Sequence, residues 1–455
     1  MLIDRALRHQ ASRPSARYRV MAVLLGLAPI ALATHTLAQT TEMTQPRDDP
    51  RRARGALVTR EINPGRDVKG QEDPARVDEA YQPKGIELGQ FLLFPKTEFT
   101  GGYNDNVFAQ KNNPRGDFLT RITPEAELRS RFSQHQLNFL GRAEQTVYRR
   151  YEDDNTLDLL GAMNGRLDVS RDWELPAAFS LFQRFEDRGS PEDVGGKKPT
   201  RVRGGNARVG SKSKHGRYVL HAEAGVDRLT YADVATSTGT EVNNSDRDRW
   251  EYELRTRGSY ELFPGYAAVL EFAGNQRIYD EPFDDNGFAR DSQGYRALGG
   301  VAIDLSEVIR GDFLAGYFAQ NYEDRRLSDP SGLALRAQFN WTPSRMTIVV
   351  PSFERVVQET TQPGSSSIVR IAANLVVRHE LERNIVLTFS AGASQDDFEG
   401  INQRNRTYEG RIRAIWALAP EYYVGAEAGH RYRTSNVEAA GFSQTVVLAR
   451  FGLRL

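Results

Sequence analysis

From residue 86 onward, apolar and polar side chains take turns one for one in run after run of the chain. In 118–131, Phe118, Thr120, Ile122, Pro124, Ala126 and Leu128 alternate with Leu119, Arg121, Thr123, Glu125, Glu127 and Arg129. In 249–260, Trp250, Tyr252, Leu254, Thr256, Gly258 and Tyr260 alternate with Arg249, Glu251, Glu253, Arg255, Arg257 and Ser259. In 407–416, Tyr408, Gly410, Ile412, Ala414 and Trp416 face away from Thr407, Glu409, Arg411 and Arg413, with Ile415 breaking the polar row. The last stretch sets Thr445, Val447, Ala449, Phe451, Leu453 and Leu455 against Val446, Leu448, Arg450, Gly452 and Arg454. A helix would repeat every three to four residues, so these runs are strands with one apolar face. Soluble strands average about 5–6 residues, whereas a tilted strand crossing a bilayer needs about 9–11. Length selects the bilayer.

The connections fall into two kinds. Short ones are Ser133-Gln134-His135, Ser170-Arg171-Asp172, Pro264-Gly265, Pro343-Ser344-Arg345 and Ala419-Pro420. Long polar ones are Asp105–Gly116, Asp187–Thr200, Asp233–Asp246, Asp280–Gln293, Asp324–Pro330 and Asp396–Arg404. Short turns at one end and long loops at the other describe an outer-membrane barrel. The expected fold is therefore all-β, a transmembrane antiparallel up-and-down barrel. Strand centres are expected near 97, 124, 143, 163, 180, 205, 224, 254, 272, 300, 317, 337, 351, 373, 390, 411, 428 and 449. That is eighteen strands, with sixteen as the alternative because the alternation slips near 205, 317 and 351. An even count places both barrel ends in the periplasm. Tags at 189–198, 236–245 and 284–290 would then reach the cell surface, and tags at 264–265 or 343–345 would not. Trp173, Trp250, Trp341 and Trp416, with Tyr103, Tyr260, Tyr422 and Tyr432, sit near strand ends on the apolar face, as interfacial girdles require. Phe451, Leu453 and Leu455 are expected to face lipid and to present the signal read by the barrel-assembly machinery, with Leu455 standing where Phe is more usual.

Ahead of the barrel, Arg5, Arg8, Arg13, Arg17 and Arg19 precede an apolar run over 20–33 and then small residues. This order marks a secretory signal over 1–38, cleaved after Ala38 or, alternatively, after Ala33. Residues 39–85 are rich in Arg, Asp, Glu, Pro and Gln, reading as a disordered periplasmic leader too short for a folded plug. The barrel is expected over 86–455, in the outer membrane of a Gram-negative bacterium, among lipid and lipopolysaccharide.

Composition narrows the chemistry. The 60 Lys+Arg balance the 60 Asp+Glu among 455 residues, so no global positive excess favours a nucleic-acid partner. With no cysteine there is neither a disulfide framework nor a thiolate site. The barrel histidines His135, His215, His221, His379 and His430 fall in no paired-His or G-x-S-x-G motif, which argues against an enzyme. Tyr103-Asn-Asp-Asn106 and Asp284-Asp-Asn-Gly287 carry oxygen ligands but not the spaced carboxylates of a Ca²⁺ loop, and they read as turns. No metal or cofactor is expected.

Tyr81-Gln-Pro-Lys-Gly85, Gly89-Gln-Phe91, Pro95 and Tyr103-Asn-Asp-Asn-Val-Phe108 resemble the opening of the outer-membrane β-barrel porins associated with capsule and exopolysaccharide operons. Pro124, the Arg129–Leu137 hairpin and Arg184–Pro191 are similar as well, so the resemblance runs from about residue 76 to 455. It implies a passive pore for polysaccharide, working with periplasmic and inner-membrane export proteins, and it carries over no catalytic residue. A general diffusion porin for small solutes and a non-transport barrel, scaffold or enzyme, stand as alternatives.

The polar face supplies the candidate pore lining. It comprises Arg121, Glu125, Glu127 and Arg129; Arg249, Glu251, Glu253, Arg255 and Arg257; Glu409, Arg411 and Arg413; and Arg296, Arg336, Arg370 and Arg431. Arginine outnumbers acid on this face although the chain is neutral. Rings of Arg favour anions, against a blander reading as cross-strand ion pairs worth about 0.2–1 kcal/mol each. The longest loops, polar and about 14 residues, suggest a wide lumen or a lid at the rim.

Overall fold

Long period-two runs can satisfy their backbone only by pairing with neighbours, and without water the last must pair with the first. A computed structural model shows that closure; it describes residues 79–455 except 237, 238, 306, 307 and 361. The expected signal segment and the leader as far as residue 78 lie outside the described residues. Eighteen long strands follow in order: β1 (Phe91–Asn104), β2 (Asp117–Ser130), β3 (Gln136–Tyr148), β4 (Thr156–Ser170), β5 (Trp173–Phe185) and β6 (Arg201–His215). Next come β7 (Tyr218–Tyr231), β8 (Arg249–Phe263), β9 (Tyr266–Tyr279), β10 (Ser292–Leu305), β11 (Ile309–Tyr322) and β12 (Ser331–Ser344). The ring continues with β13 (Thr347–Glu359), β14 (Ser367–Glu382), β15 (Ile385–Glu399), β16 (Arg404–Ala417), β17 (Tyr422–Ser435) and β18 (Phe442–Arg454). Each pairs antiparallel with the next, and β18 returns to β1 from Lys96↔Arg454 to Asn104↔Val446. A short strand, Ile86–Leu88, folds back on the start of β1.

All eighteen expected centres lie within these strands, including the three where the alternation slips. Around 205, the pair Gly204-Gly205 carries no side chains to alternate. The loops differ more. Asp396 to Glu399 belong to β15, leaving only 400–403 as a loop, because Asp396 is buried in a bidentate pair with Arg370. Ser292 already starts β10, and 233–246 contains a small hairpin of Val234–Ala235 with Glu241–Val242. All long loops share one end of the barrel; the turns 171–172, 216–217, 264–265 and 383–384 share the other, with Phe91 and Arg454. Gly216 and Gly265 take φ +64° and +84° in two-residue turns, a region that tight hairpins demand and side chains disfavour.

Neighbouring residues show which face is which. Leu270 is 73% exposed while Glu271 beside it is 4% exposed. Phe118, Leu181, Val209, Phe313 and Ile412 are likewise exposed on the outer face. Trp250, Tyr103 and Tyr432 sit outward at the long-loop end; Trp173, Trp341, Trp416 and Tyr422 do so at the short-turn end, forming two belts. An apolar band between aromatic belts is a lipid-facing surface. Phe451, Leu453 and Leu455 lie on that surface, about half exposed. Phe451→Asp sets a charge against lipid, which is unfavourable, though less so for Asp than for Arg. The variant is expected to yield less heat-modifiable barrel in the membrane fraction; wild-type yield would contradict the placement of β18.

One seam departs from a simple cylinder. The β11–β12 ladder runs to Ala319↔Ser331, but the β12–β13 ladder stops at Leu335↔Arg355. Beyond it, β13 stays paired with β14 as far as Glu359↔Ser367. The hairpin end leaves β12 and turns inward, so its outer-face residues Val357 and Val369 pack against Leu298, Leu314, Phe318 and Ala334 on the inner face of β10–β12. The barrel wall overlaps itself there.

Candidate functional site: the charged interior and its mouth

Ion pairs between strands that are not neighbours can exist only inside the ring. Arg257 on β8 reaches Asp312 on β11 at 2.7 Å, and Arg336 on β12 holds both oxygens of Glu271 on β9 at 2.9 and 2.8 Å. These chords place the polar face of the alternation inward.

The interior charges gather around two carboxylates. Glu271, with its side chain 2% exposed, is shared by Arg336, by Arg257 at 3.5 Å and by Arg296 at 3.5 Å. The three guanidinium groups remain about a quarter exposed, so the acid forms the base and the cations form the surface. Arg255 pairs with Glu253 at 2.7 Å on the same wall. Across the barrel, Glu427 on β17 repeats the device. It takes Arg413 at 2.7 Å, Arg411 at 3.4 Å and Arg450 at 2.7 Å, and Arg450 also reaches Glu98 at 3.0 Å. Glu271 and Glu427 both lie in the short-turn half of their strands. With Asp312 beside Glu271 and Glu98 beside Glu427, each cluster sets three guanidinium groups against two carboxylates, which leaves one formal positive charge facing water.

The remaining candidates divide by depth. Arg129 forms a bidentate pair with Glu127 at 2.7 Å and lies over the Phe94 ring. Arg121 bonds the Thr146 hydroxyl at 3.1 Å and pairs with Glu144 at 3.2 Å; Glu125 stands opposite Arg142. Glu409 faces Arg431 across the β16–β17 ladder. At the long-loop end, Arg249, Glu251, Arg370 and Arg431 lie on the inner face but are nearly buried, packed beneath the mouth rather than open to water. Arg249 bonds Glu251 at 2.9 Å and lies near the Tyr231 and Tyr279 rings. Asp312 and Arg450, which complete the clusters, also follow from the alternation once β11 and β18 are placed. The oxygens of Asn104, Asn106 and Asp284 cap turns: the Asn104 side chain accepts from Asn106 N–H, and Asp284 accepts from the N–H groups of Asn286 and Phe288.

The mouth is crossed by 187–200, between β5 and β6. Far from staying at the rim, this strap is fastened on several sides. Glu186 at its root takes Arg247 at 3.1 Å, and Asp187 takes Arg431 of β17 at 2.8 Å. Arg188 bonds Asp154 at 2.7 Å and the Gly196 carbonyl at 2.6 Å, folding the strap on itself. A Cβ at Gly189 would stand 2.6 Å from the Arg431 guanidinium and 2.9 Å from the Phe442 ring, so a larger residue would have to push these side-chain ends aside. On the far side, Gln362 donates to the Pro191 carbonyl at 2.8 Å and Thr360 donates to Glu192.

Burial pushes the Asp193 carboxyl in the strap up to about 6, aided by Glu186 and Asp187 and opposed by Arg188. Burial likewise raises Asp154 against the pull of Arg188. Asp246 in the adjoining loop is pushed up to about 6 by burial and by the charges of Asp285 and Asp284, opposed by the Asp285 N–H that donates to it and by Arg247. An acid whose pKa is higher in the docked loop than its ordinary 3.8 binds its proton more tightly there, so docking strengthens as pH falls through about 6. Single channels are therefore expected to stay closed longer at pH 5 than at pH 7.5, with Asp193→Asn plus Asp246→Asn flattening the difference. A longer closed time at the higher pH would contradict the sign.

A family model described as "Putative beta-barrel porin 2" matches residues 79–455. No curated protein matches the chain. Among solved structures, OccK3 (OpdO) of Pseudomonas aeruginosa is 11% identical, with a TM-score of 0.41 over 80% of this chain and 96% of that one. The FrpB iron transporter of Neisseria meningitidis is 10% identical, with a TM-score of 0.42 over 79% and 64%. The outer membrane protein opdK of Pseudomonas aeruginosa is 10% identical, with a TM-score of 0.41 over 80% and 99%.

Proposed function

Since the chain belongs to the family described as "Putative beta-barrel porin 2" and is an outer-membrane porin-like barrel, we propose that it conducts an anionic cargo, and that this cargo is an exopolysaccharide or capsular polysaccharide leaving the cell. The observation that carries the anionic part is the pair of clusters in which Glu271 and Glu427 each gather three guanidinium groups. Arg presents planar, paired donors that match a carboxylate or phosphate, and at a water-filled wall it stays charged at every physiological pH. A polymer bearing such groups would be drawn along the wall without being trapped, because the acid beneath each cluster offsets part of its field. Export rather than uptake rests on the resemblance of 81–108 and 184–191 to capsule-associated porins, and periplasmic export proteins would then deliver the chain at the short-turn end.

A general diffusion porin for small solutes is the second reading, favoured by the strap across the mouth. A clean deletion in the producing cell separates the two. Export predicts that acidic polymer disappears from the medium while its synthesis continues. Unchanged polymer, together with fast swelling of proteoliposomes in small sugars, would support the diffusion porin.

A further inference from the structure

The overlap at the β12–β13 seam puts a piece of wall inside the ring. We infer that the outer end of the β13–β14 hairpin is a gate, held closed by an apolar seat and two polar latches, which opens by swinging back to pair with β12. This goes beyond the nature of the cargo.

Three observations describe the closed position. The seat is formed by Leu298, Leu314, Phe318 and Ala334, an apolar patch on the inner side of the barrel, covered by Val357 and Val369. The first latch is the Glu359 carboxylate, which accepts from Tyr279 at 3.0 Å and Tyr322 at 3.1 Å and pairs with Arg277. The second is Arg290, fully buried, which donates to the Thr360 and Ser365 carbonyls at 2.6 and 3.0 Å while Asp284 holds it from behind at 2.6 Å. The strap then braces the hairpin from almost the opposite side of the ring, through Glu192 and Pro191.

The open position is written in the backbone. Carrying the register onward from Leu335↔Arg355 would pair Ala334 with Val356 and Leu333 with Val357. Zipping these rows would replace the Arg355 guanidinium, which now donates to the Leu333 carbonyl, with ladder hydrogen bonds, and would withdraw the hairpin from the lumen. The cost is exposure of the apolar seat, which keeps the closed state favoured until the latches loosen. The gain and loss are of the same kind as those of any two-state element biased by a few contacts.

The chain has no cysteine, so a disulfide can report the open register without background. The test uses full-length barrel in planar bilayers carrying Leu333→Cys with Val357→Cys or, separately, Ala334→Cys with Val356→Cys. Paired antiparallel residues stand about 4.5–5.5 Å apart at Cα, within disulfide reach. The gate predicts slow disulfide formation, a step up in conductance as it forms, and return on reduction. Glu359→Gln or Arg290→Gln in the same background should speed formation about tenfold, as loss of one charged hydrogen bond would. Immediate formation at unchanged conductance would mean the seam is already zipped, and no formation even with the latches removed would mean the hairpin is fixed; either result overturns the gate.

Discussion

Changing Arg255, Arg257, Arg411 and Arg413 together to Glu should turn the anion preference proposed for this barrel into a cation preference. Arg257, Arg411 and Arg413 lie in the two clusters and Arg255 on the same wall as the first; all four face the lumen, each side chain between about a quarter and a third exposed. In that position their field acts on the ions that pass, and a ring of acids in their place favours cations. The barrel should survive the exchange. Glu271 keeps Arg296 and Arg336, and Glu427 keeps Arg450, so no buried acid is left without a partner. The reversal potential under a KCl gradient should change sign while heat-modifiable migration stays that of a folded barrel. In the producing cell the same quadruple change should lower secretion of an acidic polymer and leave its synthesis intact. An unaltered sign would remove the arginine clusters from any account of selectivity.

Removing a single acid should do the opposite to selectivity at a cost in stability. Glu271→Gln withdraws the charge that Arg257, Arg296 and Arg336 share, leaving them to repel one another, with Asp312 as the remaining acid for Arg257 and Arg336. Breaking a fully buried pair costs about 3–5 kcal/mol, and here less, roughly 1–3, because lumen water reaches the guanidinium groups. Equilibrium folding in urea should show that loss, whereas Glu125→Gln, away from the clusters, should move stability by less than about 1 kcal/mol. The surviving variant should prefer anions more strongly than wild type. A Glu271→Gln barrel of unchanged stability and selectivity would mean that the three arginines do not depend on this acid.

The strands were legible because a bilayer imposes one rule on every residue: lipid on one side, water on the other, over a fixed length. That rule survives at 317 and near 205, where small residues blur it, and even at 351 in β13. It fails only past the seam. There Glu359, Val357 and Val369 have the parity of the lipid face but turn inward, because the hairpin folds over the neighbouring wall. No local pattern announces that overlap. The clusters were legible only as a face. Glu271, Glu427, Asp312 and Arg450 are each one polar residue among many in the sequence, and their convergence depends on strand register and on chords across the ring. The strap was legible as a long polar loop that suggested a wide lumen or a lid at the rim, but its fastenings were not, since its partners Arg431, Arg247 and Thr360 lie far away in sequence. Gly189 was the one local sign, a residue without a side chain where Arg431 and Phe442 come close.

The central claim is that the interior of this barrel is a water-filled, net-positive path through the membrane. Purified barrel in a planar bilayer, under a tenfold KCl gradient, tests it in one reading. The account predicts discrete conductance steps with a reversal potential on the chloride side of zero. A barrel that never conducts, or one whose potential lies on the potassium side, would contradict it.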